Sequence, residues 1–273
     1  AKTHPYISTG LNENKFGVDL QMAKKMYLHA KNSTHLEPVG IHSHIGSQIT
    51  DIKPVIEAAK IVANLTRELK AAQIDIKFFD VGGGIGIVYG DESEPDLYEY
   101  AQGILANLSG LDVTVVCEPG RFIVGNAGYF LTSVLYEKFN KEKRFVIVDG
   151  AMNDLIRPSL YQARHKIFAL SGGKTLCECK KEQLEELKFS PCDVVGPICE
   201  SGDFLAKDRN LPPLNPGDLV VIKSAGAYGF AMSSNYNTRG RAAEVAVKGG
   251  EDFLIRRRES FEDVVALERE FLG

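Results

Sequence analysis

Residues 78–86 read Phe-Phe-Asp-Val-Gly-Gly-Gly-Ile-Gly, and this stretch organises the first half of the chain. An apolar run ends here in four closely spaced glycines, which is typical of a strand that turns sharply at its carboxyl end. Glycines in that position let backbone N–H groups approach an anion, usually a phosphate. The spacing is neither the Walker pattern nor a complete dinucleotide-binding fingerprint. The stretch alone is therefore compatible with a phosphate site or with a tight turn.

Predicted helices and strands alternate on both sides of the glycines. Apolar residues recur at helical spacing in three segments, and β-type apolar runs lie between them. The predicted helices are 18–30, 53–72 and 95–108, and the predicted strands are 37–44, 74–81 and 113–117. Strands that alternate with helices through short links form a parallel sheet with helical crossovers, so the first half is predicted to be α/β.

The pattern changes after Arg121. Short β-like runs follow one another, separated by Gly, Pro and Asn, which is typical of an antiparallel sandwich or barrel. These runs are 129–136, 144–148, 166–170, 175–178, 193–198, 219–223, 243–247 and 253–257, and a helix is predicted for 260–271. We therefore predict an α/β domain over 1–127, followed by a mainly antiparallel β-sandwich or barrel domain over 128–273 that ends in a helix.

The first domain contains only about three strand-helix units, whereas a closed (β/α)8 barrel needs roughly 250 residues. An open three-stranded layer would leave apolar strand edges unpaired. We therefore expect a partial (β/α)8 barrel made of the C-terminal barrel units only, with on the order of 120–150 residues missing. The chain also begins at Ala1 without an initiator methionine, so we expect a fragment of a longer protein.

Composition limits the classes of partner. The net charge of −4 shows no basic excess that would favour nucleic acid or an anionic membrane surface. No apolar run reaches the roughly 18 residues of a membrane span. Five cysteines lack the paired spacing of a zinc site, namely Cys117, Cys177, Cys179, Cys192 and Cys199. We therefore expect a cytoplasmic protein with reduced thiols and without a metal, nucleic-acid or membrane partner.

Polar residues follow all three predicted strands of the first domain. They lie in His42–Ser47, in the glycine triplet Gly82–Gly84 and in Glu118–Arg121. Because the carboxyl ends of barrel strands face one mouth, we expect these loops to converge on one pocket. A stacking histidine, a serine and glycines for phosphate, a buried glutamate and an arginine suit a phosphorylated heteroaromatic cofactor. A carboxylate beside a ring nitrogen keeps that nitrogen protonated, as pyridoxal phosphate requires.

Six motifs in combination carry a resemblance that covers essentially the whole chain. They are His44-Ile45-Gly46-Ser47-Gln48, Gly82-Gly83-Gly84, Glu118-Pro119-Gly120-Arg121, Arg157-Pro158-Ser159-Leu160-Tyr161, Gly196-Pro197-Ile198-Cys199-Glu200-Ser201 and Gly226-Ala227-Tyr228-Gly229. With them the chain resembles the diaminopimelate decarboxylases, pyridoxal-phosphate enzymes built on an alanine-racemase-like barrel and a β domain. The resemblance implies conversion of meso-2,6-diaminopimelate to L-lysine and carbon dioxide, the last step of lysine biosynthesis.

The resemblance also implies which residues bind the cofactor. His44 would stack on the pyridine ring, and Glu118 would pair with its nitrogen. Ser47 and Gly84 would hold the phosphate. The implied cofactor-binding residues are His44, Ser47, Gly84, Glu118, Pro119, Gly120, Arg121 and Tyr228.

Substrate roles follow from the same resemblance. Arg157 and Tyr161 would bind the distal amino-acid end, since a guanidinium binds a carboxylate through two parallel hydrogen bonds. Cys199 would return a proton after loss of carbon dioxide, and Glu200 would recognise the distal ammonium. Both enter the active site of the other subunit in this family, so a homodimer with shared sites is implied. The implied substrate-binding residues are Arg121, Arg157, Tyr161, Glu200 and Tyr228.

One feature departs from the family pattern. The family binds its cofactor through a Schiff-base lysine in a Tyr-Ala-x-Lys-Ala-like stretch, and no lysine of this sequence has that setting. Lys53 and Lys77, the nearest to the motifs, lie at a predicted helix start and before a predicted strand. We therefore expect the lysine in a missing N-terminal part, and we expect the fragment alone to lack activity.

Two alternatives remain open at the level of sequence. One is a decarboxylase of ornithine, arginine or carboxynorspermidine, whose substrates end in a bare cationic group and need no arginine for a second carboxylate. The other is a catalytically silent paralogue that regulates a true decarboxylase. The missing lysine favours the regulator, whereas the presence of Cys199 and Glu118 argues against it.

Several polar residues are predicted to have structural roles only. His42 shares a strand face with His44 but lies deeper, so it is interpreted as a packed core histidine. Arg164 and His165 are predicted to lie at a solvated strand start, and Arg256–Arg258 at a solvated edge. The four cysteines other than Cys199 are expected to be inert.

Overall fold

Three parallel strands organise the first of the two units into which the chain divides, Ala1–Ile123 and Val124–Gly273. The computed structural model describes residues 15–90, 92–177 and 187–271. The sheet order is β1-β2-β3 with both pairs parallel, which confirms the predicted parallel sheet with helical crossovers. In chain order the elements are α1 (Leu20–Lys31), β1 (Gly40–His42), α2 (Lys53–Ala71), β2 (Phe78–Asp80), α3 (Leu97–Asn107), β3 (Thr114–Val116) and α4 (Gly120–Val124), whose last residue belongs to the second unit.

Local signals fix where these helices begin. Asp19 Oδ1 accepts a hydrogen bond from the Met22 amide at 2.8 Å at the start of α1. Asp96 Oδ1 accepts one from the Glu99 amide at 2.9 Å at the start of α3. Each cap satisfies an N–H that the first helical turn leaves unpaired. Helix α2 carries Pro54 in its first turn, where no N–H is needed, so all three helices begin close to their predicted positions.

The strands of this sheet are shorter than predicted. Each contains three residues, and the flanking residues assigned to strands by their apolar character form loops instead. Ile76 and the β2 residue Phe79 are fully buried and belong to one hydrophobic cluster with Ala59, Ala63 and Leu69 of α2. This burial anchors the loops at the carboxyl ends of the strands.

A seven-stranded sheet forms most of the second unit. Its order is β7-β6-β10-β4-β5-β8-β9, and β11 and β12 pair separately in an antiparallel ribbon. The elements are β4 (Phe130–Asn140), β5 (Lys143–Val148), α5 (Arg157–Tyr161), β6 (Ile167–Ser171), β7 (Lys174–Leu176), β8 (Ser190–Val195), β9 (Phe204–Leu211), β10 (Leu219–Ile222), β11 (Glu244–Lys248) and β12 (Glu251–Arg256). The predicted strand 175–178 ends on Glu178, which lies outside the described residues, as does Cys179.

The second unit departs from a purely antiparallel arrangement at one strand pair. Strands β5 and β8 are parallel, whereas the other pairs of this sheet are antiparallel. A parallel pair needs a long connection, and α5, β6 and β7 lie between these two strands in sequence. Strand β9 was not predicted, because Lys207-Asp208-Arg209 interrupts its apolar pattern and Asp208 adopts a positive φ of 49°.

Hydrogen bonding does not close the large sheet within the described residues, since its order ends at β7 and β9. Arg209 Nη2 nevertheless donates to the His165 carbonyl at 3.2 Å, which brings β9 close to the start of β6. The predicted C-terminal helix is instead two short helices, Phe261–Val264 and Ala266–Arg269, because Val265 leaves the helical conformation. The described residues also include three 3-10 helices, Gly125–Ala127, Phe230–Met232 and Tyr236–Thr238.

No helix in the described ranges combines the length and the apolar character that crossing a membrane requires.

A buried ion pair ties several strands of the second unit together. Arg144 on β5 is 3% exposed and pairs through Nε and Nη2 with the Glu137 carboxylate on β4. Its Nη1 donates to Ser190 Oγ at 3.0 Å and to the Leu211 carbonyl at 2.7 Å, and Nη2 donates to the Pro212 carbonyl at 2.5 Å. A buried guanidinium is tolerated only when its donors are satisfied in this way.

Candidate functional site

The loops that follow β1, β2 and β3 meet in the first unit, which confirms the predicted convergence. The Gly83 amide donates to His44 Nδ1 at 3.2 Å, which links the first loop to the second. The Glu118 amide donates to the Gly82 carbonyl at 2.9 Å, which links the second to the third. His44, the glycine triplet and Glu118 therefore occupy one site at the carboxyl edge of the sheet.

Packing alone requires glycine in the triplet. A Cβ on Gly83 would lie 2.3 Å from the Glu118 carbonyl oxygen, and one on Gly84 would lie 2.2 Å from the Gly46 carbonyl oxygen. Gly84 also has a φ of +92°, which an alanine rarely adopts. The tight-turn interpretation therefore accounts for these glycines, and the same close approach brings the three loops within reach of one ligand.

His44 is held as a neutral imidazole. Burial lowers its pKa, nearby His42 lowers it further, and Glu118 and Asp80 oppose the shift. Because Nδ1 accepts from the Gly83 amide, the ring proton belongs on Nε2. The half-buried ring therefore offers an uncharged aromatic face.

Arg121 connects two parts of the site. Its guanidinium is 6% exposed, donates through Nη2 to Ser47 Oγ at 3.1 Å and through Nη1 to the Tyr89 hydroxyl at 2.6 Å. Gln48 fixes the same loop, because its amide exchanges two hydrogen bonds with the backbone of Ile87, at 2.6 and 3.2 Å. The predicted phosphate residue Ser47 and the predicted cofactor residue Arg121 thus contact each other.

Pro119 and Gly120 turn the chain from β3 into α4. The Gly120 amide donates to the Glu118 carbonyl at 2.9 Å, and the Ile123 amide donates to the Pro119 carbonyl at 3.1 Å. This tight turn directs Arg121 back toward Ser47. Within the described residues, no other contact gives Pro119 or Gly120 a chemical role of its own.

Glu118 and His42 differ from their predicted environments. The Glu118 side chain is 55% exposed rather than buried, and the His42 side chain is 52% exposed rather than packed in the core. The strand β1 is so short that His42 already lies at its end, where Nε2 is 3.4 Å from Glu118 Oε2. Asp80 joins them, and the three offer ligand atoms within 4.8 Å of one another, a donor set that a divalent cation could use.

In the second unit, α5 builds an arginine site that includes an unpredicted partner. Arg157 is 5% exposed, and its guanidinium lies 5.8 Å from the centre of the Tyr161 ring. Its Nε donates to His165 Nε2 at 3.4 Å, and His165 Nδ1 donates to the Lys223 carbonyl at 2.8 Å. His165 is therefore buried, which corrects its predicted solvated position, whereas Arg164 is exposed as predicted.

A turn held by Asp203 presents Cys199 and Glu200 to solvent. The Asp203 carboxylate accepts from the Ile198 amide and from the Met152 amide, both at 2.7 Å. Burial raises the pKa of Asp203, and these two amides oppose that shift. Cys199 and Glu200 are both exposed on the resulting rigid turn.

The four described cysteines are free thiols, Cys117, Cys177, Cys192 and Cys199. Burial raises the pKa of Cys192 to about 11, and burial together with Asp80 raises the pKa of Cys117. A raised pKa keeps a thiol protonated and unreactive at neutral pH. This chemistry favours the predicted inert character of Cys117 and Cys192.

Tyr228 projects from a strained turn. Its φ is +58°, a region that bulky residues rarely occupy. A Cβ on Gly226 would lie 2.0 Å from the Val124 carbonyl oxygen, and one on Gly229 would lie 2.2 Å from the Ala225 carbonyl oxygen. The surrounding packing thus imposes the conformation and leaves the Tyr228 side chain 42% exposed. Strain of this kind is concentrated at functional sites.

Residues 1–125 match the model of the pyridoxal binding domain of pyridoxal-dependent decarboxylases. The chain is 63% identical to diaminopimelate decarboxylase of Campylobacter jejuni over all 273 residues, which are 65% of that relative. It is 53% identical over 272 residues to the enzyme of the same name from Helicobacter pylori, of which it covers 64%. By these matches the chain resembles the pyridoxal-dependent decarboxylases.

A solved structure extends the likeness to the fold. Diaminopimelate decarboxylase from Helicobacter pylori in complex with L-lysine matches with a TM-score of 0.90 at 53% identity, over 99% of this chain and 64% of that one. The chain thus spans slightly less than two-thirds of the length of these relatives. The solved structures to which this chain is similar are built on the alanine-racemase-like barrel.

Sequence reasoning missed several residues that shape the candidate site. Tyr89 and His165 contact the predicted site residues Arg121 and Arg157 only through the tertiary structure. Gln48 fixes the loop that carries Ser47 through its hydrogen bonds to the Ile87 backbone. A fourth such residue, Asp203, could have been found from the sequence, since it ends the Cys199-Glu200-Ser201-Gly202-Asp203 stretch. An aspartate that ends a short polar turn commonly accepts from nearby amides.

Proposed function

We propose that the gene product that carries this chain uses pyridoxal phosphate to decarboxylate meso-diaminopimelate to L-lysine and carbon dioxide. The observation that carries the substrate assignment is the identity to enzymes of that name, which extends over the entire chain. The L-lysine in the similar solved structure is the product of that reaction.

The first unit offers donors that suit the cofactor's phosphate. The Gly84 amide donates to no acceptor within the described residues, so it is available to a phosphate oxygen. Ser47 Oγ and Arg121 Nη2 lie 3.1 Å apart, which sets a hydroxyl and a guanidinium side by side. An amide, a hydroxyl and a guanidinium together make a donor set typical of phosphate recognition. The fit supports Ser47, Gly84 and Arg121 as phosphate-binding residues.

His44 and Glu118 suit the cofactor's ring. The uncharged face of His44 can stack on a pyridine, and the exposed Glu118 carboxylate can accept a hydrogen bond from the protonated ring nitrogen. When bound, pyridoxal phosphate supplies an electron-withdrawing ring that takes up the electron pair left as carbon dioxide departs. Glu118 strengthens this withdrawal, because it keeps the ring nitrogen protonated.

The second unit offers groups for the substrate. His165 and Tyr161 hold the buried Arg157 guanidinium in a fixed plane, as bidentate carboxylate recognition needs. Exposed Glu200 carries the charge that would receive the distal ammonium, and exposed Cys199 carries a thiol that would return a proton to the α-carbon. We assign the remaining cofactor and substrate contact to Tyr228, whose strained turn exposes its phenol.

Arg157 and Glu200 together favour diaminopimelate over the rival substrates. A distal end that carries both a carboxylate and an ammonium needs an arginine and a glutamate, whereas ornithine or arginine needs only the acidic partner. A regulatory paralogue would not need the proton donor Cys199. The sequence keeps all three residues, which supports the enzyme and the diaminopimelate assignment.

Carbon dioxide release by the gene product that carries this chain tests the proposal. With pyridoxal phosphate present, we expect turnover of meso-diaminopimelate and none of L-ornithine. Loss of hydrogen bonds to a charged group costs about 1.5–3 kcal/mol, so Arg157→Ala should raise the KM for diaminopimelate roughly 10- to 150-fold. Arg164→Ala removes an exposed arginine nearby and should leave that KM unchanged.

The outcomes separate the three candidates. Preferred turnover of ornithine, with no effect of Arg157→Ala, would support the rival decarboxylase. No turnover of either substrate, with pyridoxal phosphate bound and Cys199 intact, would support the regulatory paralogue.

We further propose that residues 1–127 form the C-terminal part of a (β/α)8 barrel and that 128–273 form a β domain. The parallel order β1-β2-β3 and the division after Ile123 support this assignment. A homodimer that shares its active sites would explain why Cys199 and Glu200 sit exposed on a rigid turn. The free thiols of the described cysteines support a reducing, cytoplasmic location.

A further inference from the structure

We propose that Tyr236 is a positioning residue whose phenol fixes the Glu200 carboxylate for recognition of the distal ammonium. The inference rests on the proposed function. The Tyr236 hydroxyl donates to Glu200 Oε1, although the two residues are 36 positions apart. Within the described residues this is the single hydrogen bond that the Glu200 side chain makes. Neither residue is buried, so packing does not otherwise hold the carboxylate.

The turn that carries Glu200 is anchored at one end. Asp203 Oδ1 accepts from the Met152 amide and Oδ2 from the Ile198 amide, both at 2.7 Å. The Glu200 amide and carbonyl bond within the turn, to the Ile198 carbonyl at 2.8 Å and the Asp203 amide at 3.0 Å. The backbone of Glu200 is therefore fixed relative to Met152.

The segment that carries Tyr236 is anchored on the neighbouring residue. Asn153 is 2% exposed, its carbonyl accepts from the Ser234 amide at 2.9 Å, and its Oδ1 accepts from Arg239 Nε at 2.9 Å. Asn235 closes the segment, since its Nδ2 donates to the Arg239 carbonyl at 3.0 Å. These bonds hold both sides of the 3-10 helix that begins at Tyr236.

The adjacent residues Met152 and Asn153 therefore set the distance between the Tyr236 phenol and the Glu200 carboxylate. Met152 and Asn153 are adjacent in sequence, and each anchors one of the two segments. A free glutamate side chain loses rotamer freedom when it binds a ligand, and this loss weakens binding. A donor on a rigid neighbouring segment removes part of that freedom beforehand.

The chemistry of the donor suits a site for a cation. A phenol orients the carboxylate without cancelling its negative charge, which an arginine or lysine in the same place would do. The hydrogen bond to Glu200 raises the pKa of Tyr236, so the phenol stays protonated and remains a donor at neutral pH. The phenol thus brings no positive charge that would compete with the distal ammonium for Glu200.

Steady-state kinetics on the gene product that carries this chain test the inference. We expect Tyr236→Phe to raise the KM for meso-diaminopimelate roughly tenfold and to leave kcat within about twofold, as for loss of one hydrogen bond. In a Glu200→Gln background, Tyr236→Phe should change KM by less than about twofold, because the phenol acts through the carboxylate. The matched control is Tyr136→Phe, the same change at an exposed position of β4.

A fluorine readout tests the contact without turnover. With 3-fluorotyrosine at position 236, we expect the 19F titration midpoint of the phenol to fall when Glu200 is replaced by Gln. An unshifted midpoint overturns the inference, as does an unchanged KM in Tyr236→Phe. An equal rise in KM in both backgrounds also overturns it, because the effect would not pass through Glu200. No diaminopimelate turnover by the unsubstituted protein, with a normal fluorine shift, refutes the proposed function and with it the subsite role.

Discussion

Replacing Gly83 with alanine should weaken pyridoxal phosphate binding, because it moves two of the proposed cofactor-binding residues at once. The new Cβ would lie 2.3 Å from the Glu118 carbonyl oxygen, whereas real Cβ atoms essentially never approach closer than 3.0 Å. The obstructing atom belongs to the backbone, so no rotamer change relieves the clash. The chain at Glu118 must retreat by at least about 0.7 Å, and the Gly83 amide that bonds to His44 Nδ1 shifts with it.

The size of the effect follows from the cost of overpacking. Forcing one extra carbon into a filled space costs about 1–3 kcal/mol, and displaced contacts no longer align with the ligand. If that cost falls on the bound state, the dissociation constant rises roughly 5- to 150-fold, since about 1.4 kcal/mol corresponds to a factor of ten. Glu118 and His44 are the proposed ring contacts, so a shift of their backbone should weaken both contacts together.

Equilibrium dialysis of pyridoxal phosphate against the gene product measures this change. Gly90→Ala is the matched control, because its Cβ would meet nothing closer than Glu92 Oε2 at 3.5 Å, an ordinary contact. Circular dichroism confirms that both variants fold. Equal dissociation constants for Gly83→Ala, Gly90→Ala and the unsubstituted protein would refute the idea that loop packing sets the cofactor site.

Three further variants or treatments have defined outcomes. Cys199→Ala should lower turnover by about 10²–10⁴-fold while the absorbance of bound cofactor is retained, and undiminished turnover would remove its role as proton donor. Arg144→Met should lower the free energy of unfolding by about 3–5 kcal/mol, because Glu137 is left as a buried unpaired charge. Urea denaturation measures this free energy, and a loss below about 1 kcal/mol would contradict the prediction. Burial raises the pKa of Cys192 from 9.0 to about 11, which lowers its thiolate fraction at pH 8 by about 100-fold. Iodoacetamide should therefore modify Cys192 far more slowly than Cys199. Equal labelling of the two cysteines by peptide mass spectrometry would contradict the burial argument.

Local patterns predicted the helices of the first unit well. Helices α1 to α3 begin at caps or at a proline, and these signals depend only on neighbouring residues. The strand pairing of the second unit was harder to predict. The parallel pair β5–β8 and the charged strand β9 depend on partners distant in sequence, and no periodicity reports them.

The features of the candidate site likewise fall into those that local sequence predicts and those that depend on distant residues. The sequence by itself determined the α/β-then-β order, the three polar loops after the strands and the motifs of the decarboxylase family, because strand order and motif spacing are local properties. Only the tertiary structure decided the exposure of Glu118 and His42, and the partners that hold Arg157 and Glu200. Burial and hydrogen bonding depend on which distant segments pack together, and the free energy of that packing is shared among residues that no linear pattern connects.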